Sequence, residues 1–259
     1  MKGLSRGVRQ LESTALPSGN DAWNKKVPKL PDEREMPVKN LEGKVQVKIC
    51  GLTRAEEALA CAQLGAHAIG CVFYPKSPRF VEDGVAQRIF GVLPEDVGRV
   101  GVFVNEDFSG VMRRVSLCGI NFAQLHGNES PQLINRLQER GVKVIKTLFV
   151  NAEPNLKGTH LYDPAAFLVE ASGGSLPGGN ALPWDWAMVK KADRKRPILL
   201  AGGLNSDNVA TAMAQALPDG VDVSSGVEKE PGKKDLEKVK GFIEAAFALR
   251  RPGHLKRIF

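Results

Sequence analysis

From residue 45 onward the chain alternates between short apolar runs and stretches with one polar face, and it does so eight times. The runs lie at 45–49, 68–73, 99–104, 122–125, 142–148, 166–169, 197–201 and 221–223. Helical spacing of apolar residues recurs near 54–64, 82–92, 107–117, 130–140, 184–193, 206–216 and 235–249. Such alternation is the pattern of a parallel sheet, whose strands are covered on both faces and so read as continuous apolar segments. Seven helical stretches around eight strands, with an abbreviated crossover between the fifth and sixth, predict an α/β fold: a (β/α)8 TIM barrel. An open doubly wound sheet is the alternative, because one sequence does not state strand order.

This reading divides the 259 residues into an irregular, flexible basic N-terminal extension at 1–44, a barrel at 45–249 and a basic C-terminal tail at 250–259. The formal charge of +7 comes from the two ends, since residues 45–249 hold 23 basic and 23 acidic side chains. A nucleic-acid protein concentrates its basic residues on one face or element of the folded domain, so no nucleic-acid partner is expected. No apolar stretch is long enough to span a bilayer and no secretory h-region opens the chain, which predicts no membrane partner and a cytoplasmic location. Residues 1–11 are basic without an acidic residue, leaving an organelle transit segment as the alternative. Cys50, Cys61, Cys71 and Cys118 form no Cys-x-x-Cys pair and have no histidines at metal spacing, so neither a disulfide framework nor a metal site is expected.

Two features point to chemistry. Cys50 ends the first apolar run, ahead of the helix cap Thr53, and loops at the carboxyl ends of parallel strands are where ligands gather. The other reading of Cys50 is a small buried hydrophobe. The second feature is a pair of small-residue turns, Ala201-Gly202-Gly203-Leu204-Asn205 after the seventh run and Asp222-Val223-Ser224-Ser225-Gly226-Val227-Glu228 after the eighth. Glycines admit a phosphate close to the backbone, serines add donors, and loops seven and eight of such barrels are a usual phosphate position. Gly202, Gly203, Ser224, Ser225 and Gly226 are therefore the expected phosphate-binding residues.

Six ordered motifs make the pattern specific: Lys48-Ile49-Cys50-Gly51-Leu52-Thr53, Phe73 to Arg79, Val100 to Asn105, Gln124-Leu125-His126-Gly127, Ala201 to Asn205, and Asp222 to Glu228 with Pro231 to Asp235. In this order they resemble the phosphoribosylanthranilate isomerase family of tryptophan biosynthesis, over residues 45–249. The resemblance implies an Amadori rearrangement of N-(5-phosphoribosyl)anthranilate to 1-(2-carboxyphenylamino)-1-deoxyribulose 5-phosphate, with a small-molecule phosphosugar as the partner, no cofactor and no metal. An acid protonates the ribose ring oxygen to open the ring, and a base then removes the C2 proton.

By the same resemblance Cys50 is the base, a role open to a thiol whose pKa is lowered by nearby positive charge or oriented N–H groups. Lys48 is not expected to help, since it shares the face of Cys50 only if the strand runs on unbent. The family's acid is an aspartate ending the sixth strand. Here Glu170 stands in that place, ahead of a glycine-rich stretch at 173–180, with Asp163 and Asp185 as alternatives. Glutamate chemistry is close to that of aspartate, but its extra methylene needs room. Arg79 matches the arginine that grips the anthranilate carboxylate, Asp222 is expected on the substrate, and His126 is expected to line the pocket without transferring a proton. Family members occur as monomers and homodimers. The runner-up function is a catalytically impaired phosphosugar-binding barrel that regulates or scaffolds, suggested by the change at the acid position. A sugar isomerase of the histidine pathway is a third reading, against which Cys50 speaks because that family relies on two aspartates.

Overall fold

The computed structural model describes residues 44–172, 184–250 and 253–259. The expectations for the N-terminal extension and for the glycine-rich stretch at 173–180 lie outside the described residues. Eight parallel strands form a closed barrel in sequence order. They are β1 (Gln46–Cys50), β2 (Ala68–Val72), β3 (Gly98–Phe103), β4 (Phe122–Leu125), β5 (Lys143–Phe149), β6 (Ala166–Glu170), β7 (Ile198–Leu200) and β8 (Gly220–Val223), with β1 pairing β8 to complete the ring. Closure settles the open-sheet alternative. A small antiparallel pair, β9 (Glu228–Glu230) and β10 (Lys233–Lys234), follows the barrel.

Outside the ring run α1 (Ala55–Gln63), α2 (Asp83–Gly91), α3 (Phe108–Cys118), α4 (Pro131–Gln138), α5 (Val209–Ala216) and α6 (Leu236–Ala248). Three of their starts follow ordinary capping chemistry, whereas α1 starts after Arg54 with no side-chain cap, and Thr53, expected as its cap, donates instead to the Gly232 carbonyl. Asp107 accepts from Gly110 N at α3, Ser130 accepts from Leu133 N ahead of Pro131 at α4, and Asp235 accepts from two amides at α6.

Two crossovers are 3-10 helices rather than α-helices. The one between β5 and β6 spans Leu156–Leu161, in keeping with the abbreviation read from the sequence. The other spans Trp186–Lys191, where the sequence suggested an α-helix. The reason is the apolar spacing: Trp186, Val189 and Ala192 are all buried and three residues apart. A 3-10 helix stacks residues i and i+3 directly over one another, so this segment needs only one narrow contact line.

Apolar side chains pack in two places, between strands and helices and inside the lower half of the barrel. The inner cluster includes Ile258 and Phe259, at the end of the basic segment 250–259. Both amide N–H groups of these residues donate to Gln46 Oε1, at 2.9 and 3.0 Å, and the Phe259 ring meets Phe122 edge-on at 5.2 Å. Lys256 N donates to Asp219 Oδ1 at 3.1 Å. Gln46, Phe122 and Asp219 stand at or just before strand starts, so the segment plugs the amino-terminal end of the barrel. Among the described residues, no helix is long and apolar enough to cross a membrane.

Candidate active site

At the opposite, carboxyl end of the strands a cavity opens, lined among others by Cys50, Arg79, His126, Glu170, Asp222 and the two small-residue turns. Every residue expected in the site reaches it.

Cys50 closes β1, two residues after Lys48, and β1 runs unbent, pairing Lys48 with Ala68 and Cys50 with Gly70. Alternation along a strand therefore turns both side chains into the barrel. Gly70 makes the room: a Cβ built there would lie 2.9 Å from Cys50 Sγ and 3.2 Å from Lys48 Nζ. Lys48 is fully buried, and its Nζ lies 2.7 Å from Asp222 Oδ1, its register partner on β8. The expectation that Lys48 stands apart from the thiol is thus corrected.

Burial raises the Cys50 thiol above its ordinary pKa, Lys48 and Lys234 pull it back, and Asp222 adds to the rise. The thiol pKa in the free site is thus held above its ordinary value, where the sequence suggested that nearby positive charge lowers it. Burial opposes the Lys48 charge, but the Asp222 carboxylate and the neighbouring sulfur outweigh it and hold the ammonium above the usual lysine value.

Glu170 closes β6, three strands round the ring from β1 on the β8 side, and is buried. Its Oε1 lies 2.9 Å from His126 Nε2. The other ring nitrogen, Nδ1, lies 3.0 Å from Gln124 Nε2 and 2.9 Å from Thr147 Oγ1. An amide NH2 can only donate, so Nδ1 is the acceptor and the imidazole proton sits on Nε2, directed at Glu170. Of the two alternatives to Glu170, Asp163 pairs with Arg196 and is exposed, while Asp185 accepts from Ala187 N at the 3-10 helix start. Neither lines the cavity.

Arg79 enters the cavity with one edge already occupied. Its Nε and Nη2 donate to the two carboxylate oxygens of Glu228 at 2.9 and 2.7 Å, and Lys234 Nζ binds the same carboxylate at 2.8 Å. Burial works against the Glu228 charge, yet the two cations hold its carboxyl below the usual glutamate value. Burial lowers Lys234.

The two small-residue turns meet at Gly226, where a Cβ would fall 1.9 Å from the Leu204 carbonyl oxygen. Gly202 and Gly203 have positive φ, 85° and 69°, which glycine adopts freely. The backbone N–H groups of Gly202, Gly203, Ser225 and Gly226 find no acceptor among the described residues. Clustered amides of this kind suit an anion. Among the described residues, no group of three or more His, Cys, Asp or Glu could hold a metal ion.

Sequence reasoning set Lys48 aside and gave no role to Gln124, Glu228 and Lys234, which its motifs contain, nor to Thr147. One signal was available: Lys48 and Gln124 are polar residues inside otherwise apolar strands, each two positions before a site residue. The partners on β5 and in the β9–β10 pair carry no such local mark.

Residues 47–245 match the family model described as PRAI, N-(5'-phosphoribosyl)anthranilate (PRA) isomerase. The N-(5'-phosphoribosyl)anthranilate isomerase of Desulfatibacillum aliphaticivorans is 50% identical over 202 residues, covering 78% of this chain and 93% of that one. The crystal structure of phosphoribosyl anthranilate isomerase from Thermotoga maritima has a TM-score of 0.71 at 40% identity and covers 79% of this chain and 100% of its own. A structure of phosphoribosyl anthranilate isomerase in complex with reduced 1-(o-carboxyphenylamino)-1-deoxyribulose 5-phosphate has a TM-score of 0.68 at 38% identity, with the same coverages.

Proposed function

The chain belongs to the phosphoribosylanthranilate isomerase family and catalyses that isomerisation in tryptophan biosynthesis, and from this premise we propose that Cys50 and Glu170 carry its two proton transfers. The observation that supports the assignment is that both groups line one cavity from strands three apart, each held by buried polar partners.

Glu170 acts first, as the acid. Its Oε1 accepts the His126 Nε2 proton, so Oε2 is the oxygen that carries a proton and delivers it to the ribose ring oxygen. His126 transfers nothing itself; Gln124 and Thr147 hold its tautomer and its angle. Ring opening leaves a Schiff base, which makes the C2 proton acidic. Cys50 removes that proton as the thiolate, giving the enolamine that becomes the ketone. The Glu170 side chain starts out against Gly202, where a Cβ would stand 3.2 Å from Glu170 Cβ.

The substrate is a small phosphosugar. We assign its phosphate to the amides and hydroxyls of Gly202, Gly203, Ser224, Ser225 and Gly226, and its anthranilate carboxylate to the edge of Arg79 that Glu228 leaves open. One copy of the chain supplies every residue named. Four free thiols suit the reducing cytoplasm, the location we assign. The impaired-barrel alternative is not favoured, since a carboxyl group does reach the cavity at the acid position.

The test supplies phosphoribosylanthranilate formed in situ and follows the loss of anthranilate fluorescence. Cys50→Ala should abolish turnover while binding of a reduced product analogue persists. Turnover at the unmodified rate would remove Cys50 as the base.

A further inference from the structure

A lysine ammonium buried inside a barrel is costly, and replacing a buried ion pair by apolar residues of similar size is often neutral or stabilising. The Lys48–Asp222 pair is therefore poorly explained by fold stability alone. Its surroundings offer another explanation. Lys48 Nζ and Cys50 Sγ share the space above Gly70, with a built Cβ 3.2 Å from the one and 2.9 Å from the other, while Asp222 holds the ammonium from the far side at 2.7 Å. Carboxylate, ammonium and sulfur thus form a row across β8, β1 and the cavity wall.

Building on the reading of Cys50 as base, we propose that Lys48 is a positioning residue that supplies the counter-charge of the Cys50 thiolate, with Asp222 fixing the ammonium beside the sulfur. Before turnover the thiol proton leaves through the cavity, and the C2 proton of the substrate later bonds to sulfur as its C–H bond breaks. The isomerisation consumes no net proton, so the sulfur releases that proton again, and the adjacent ammonium favours each return to thiolate. The other groups facing the sulfur are few. Lys234 of β10 adds positive charge, Asp222 opposes thiolate formation, and Cys71 of β2 is a buried thiol. Lys48 is the foremost of the groups favouring the thiolate.

The experiment measures the pH dependence of Cys50 alkylation by iodoacetamide in the full chain, read by mass spectrometry, alongside the pH profile of kcat/KM. Lys48→Met should move the alkylation midpoint and the kcat/KM profile to higher pH by at least about one unit, a tenfold loss of thiolate at fixed pH. Its KM should change little, and Lys48→Arg should recover most of the shift. Asp222→Asn should move the alkylation midpoint the opposite way, to lower pH, whereas a purely structural pair would disturb the thiol in the same direction from either side. A folded Lys48→Met with an unmoved midpoint overturns the proposal. If Lys48→Met does not fold, an unshifted or raised midpoint in Asp222→Asn overturns it equally. Turnover surviving in Cys50→Ala would instead defeat the base assignment while leaving the alkylation result to judge the counter-charge.

Discussion

Phe259→Ala isolates the plug under the barrel from the chemistry above it. Phe259 is 9% exposed, packs edge-on against Phe122 at 5.2 Å and shares the inner apolar cluster with Ile258. Truncating a buried phenylalanine removes its transfer free energy and leaves a cavity, together about 3–5 kcal/mol; this one closes the cluster from its open end, so about 3 kcal/mol is expected. For a domain of this size 1 kcal/mol corresponds to about 2–4 °C, which puts the loss in Tm at roughly 6–12 °C. The contacts of Phe259 lie at strand starts and the site at strand ends, so kcat and KM at 25 °C should be unchanged. Thermal unfolding followed by circular dichroism, with the fluorescence assay run below the transition, measures both. A Tm shift under about 2 °C would show that the segment does not seal the barrel in solution, and a large loss of kcat with an unshifted Tm would refute the separation of plug from site.

Glu170→Gln keeps the hydrogen bond to His126 but has no proton to give, so kcat should fall by about 10²–10⁴ while a reduced product analogue still binds, as single-turnover and binding measurements would show. Glu228→Gln leaves Arg79 and Lys234 buried without their shared carboxylate and should cost about 3–5 kcal/mol in urea unfolding. The same carboxylate has a pH signature: its folded pKa is depressed below the ordinary glutamate value of 4.5, so its stabilisation is present above that pH and is lost as pH falls through the lower folded value. Unfolding curves for the parent chain and Glu228→Gln should therefore draw together as pH falls below 4.5. Gly202→Ala places a Cβ 2.9 Å from Trp184 Nε1 and 3.2 Å from Glu170 Cβ at φ +85°, so kcat/KM should drop well before the Tm does.

Strand and crossover positions were legible because periodicity is local. β4 runs over Phe122–Leu125, as the apolar run indicates, and the other seven strands depart from their runs by one residue at one or both ends. The six motifs located Cys50, Arg79, His126, Asp222 and both small-residue turns, and the end of the sixth strand located Glu170; all of these line the cavity. The 3-10 helix at Trp186–Lys191 was misread because an apolar spacing of three also fits one turn of an α-helix. The direction of the Cys50 pKa shift was not legible for a different reason: the helpful cation is two residues away, but the burial that outweighs it is set by the whole barrel.

What the sequence by itself determined is therefore everything carried by short-range order: eight strands, the sites of their loops, and the residue types those loops present. What only the tertiary structure decided is which of these groups meet. Lys48 reaches Asp222 across 174 positions, and Ile258 reaches Gln46 across 212. Both contacts depend on the ring, the first on β1 pairing with β8 and the second on the open lower end that the closed strands surround. The physical reason is that side-chain electrostatics and packing depend on distance in space, and closure of the ring brings β1 into contact with β8 and with Ile258.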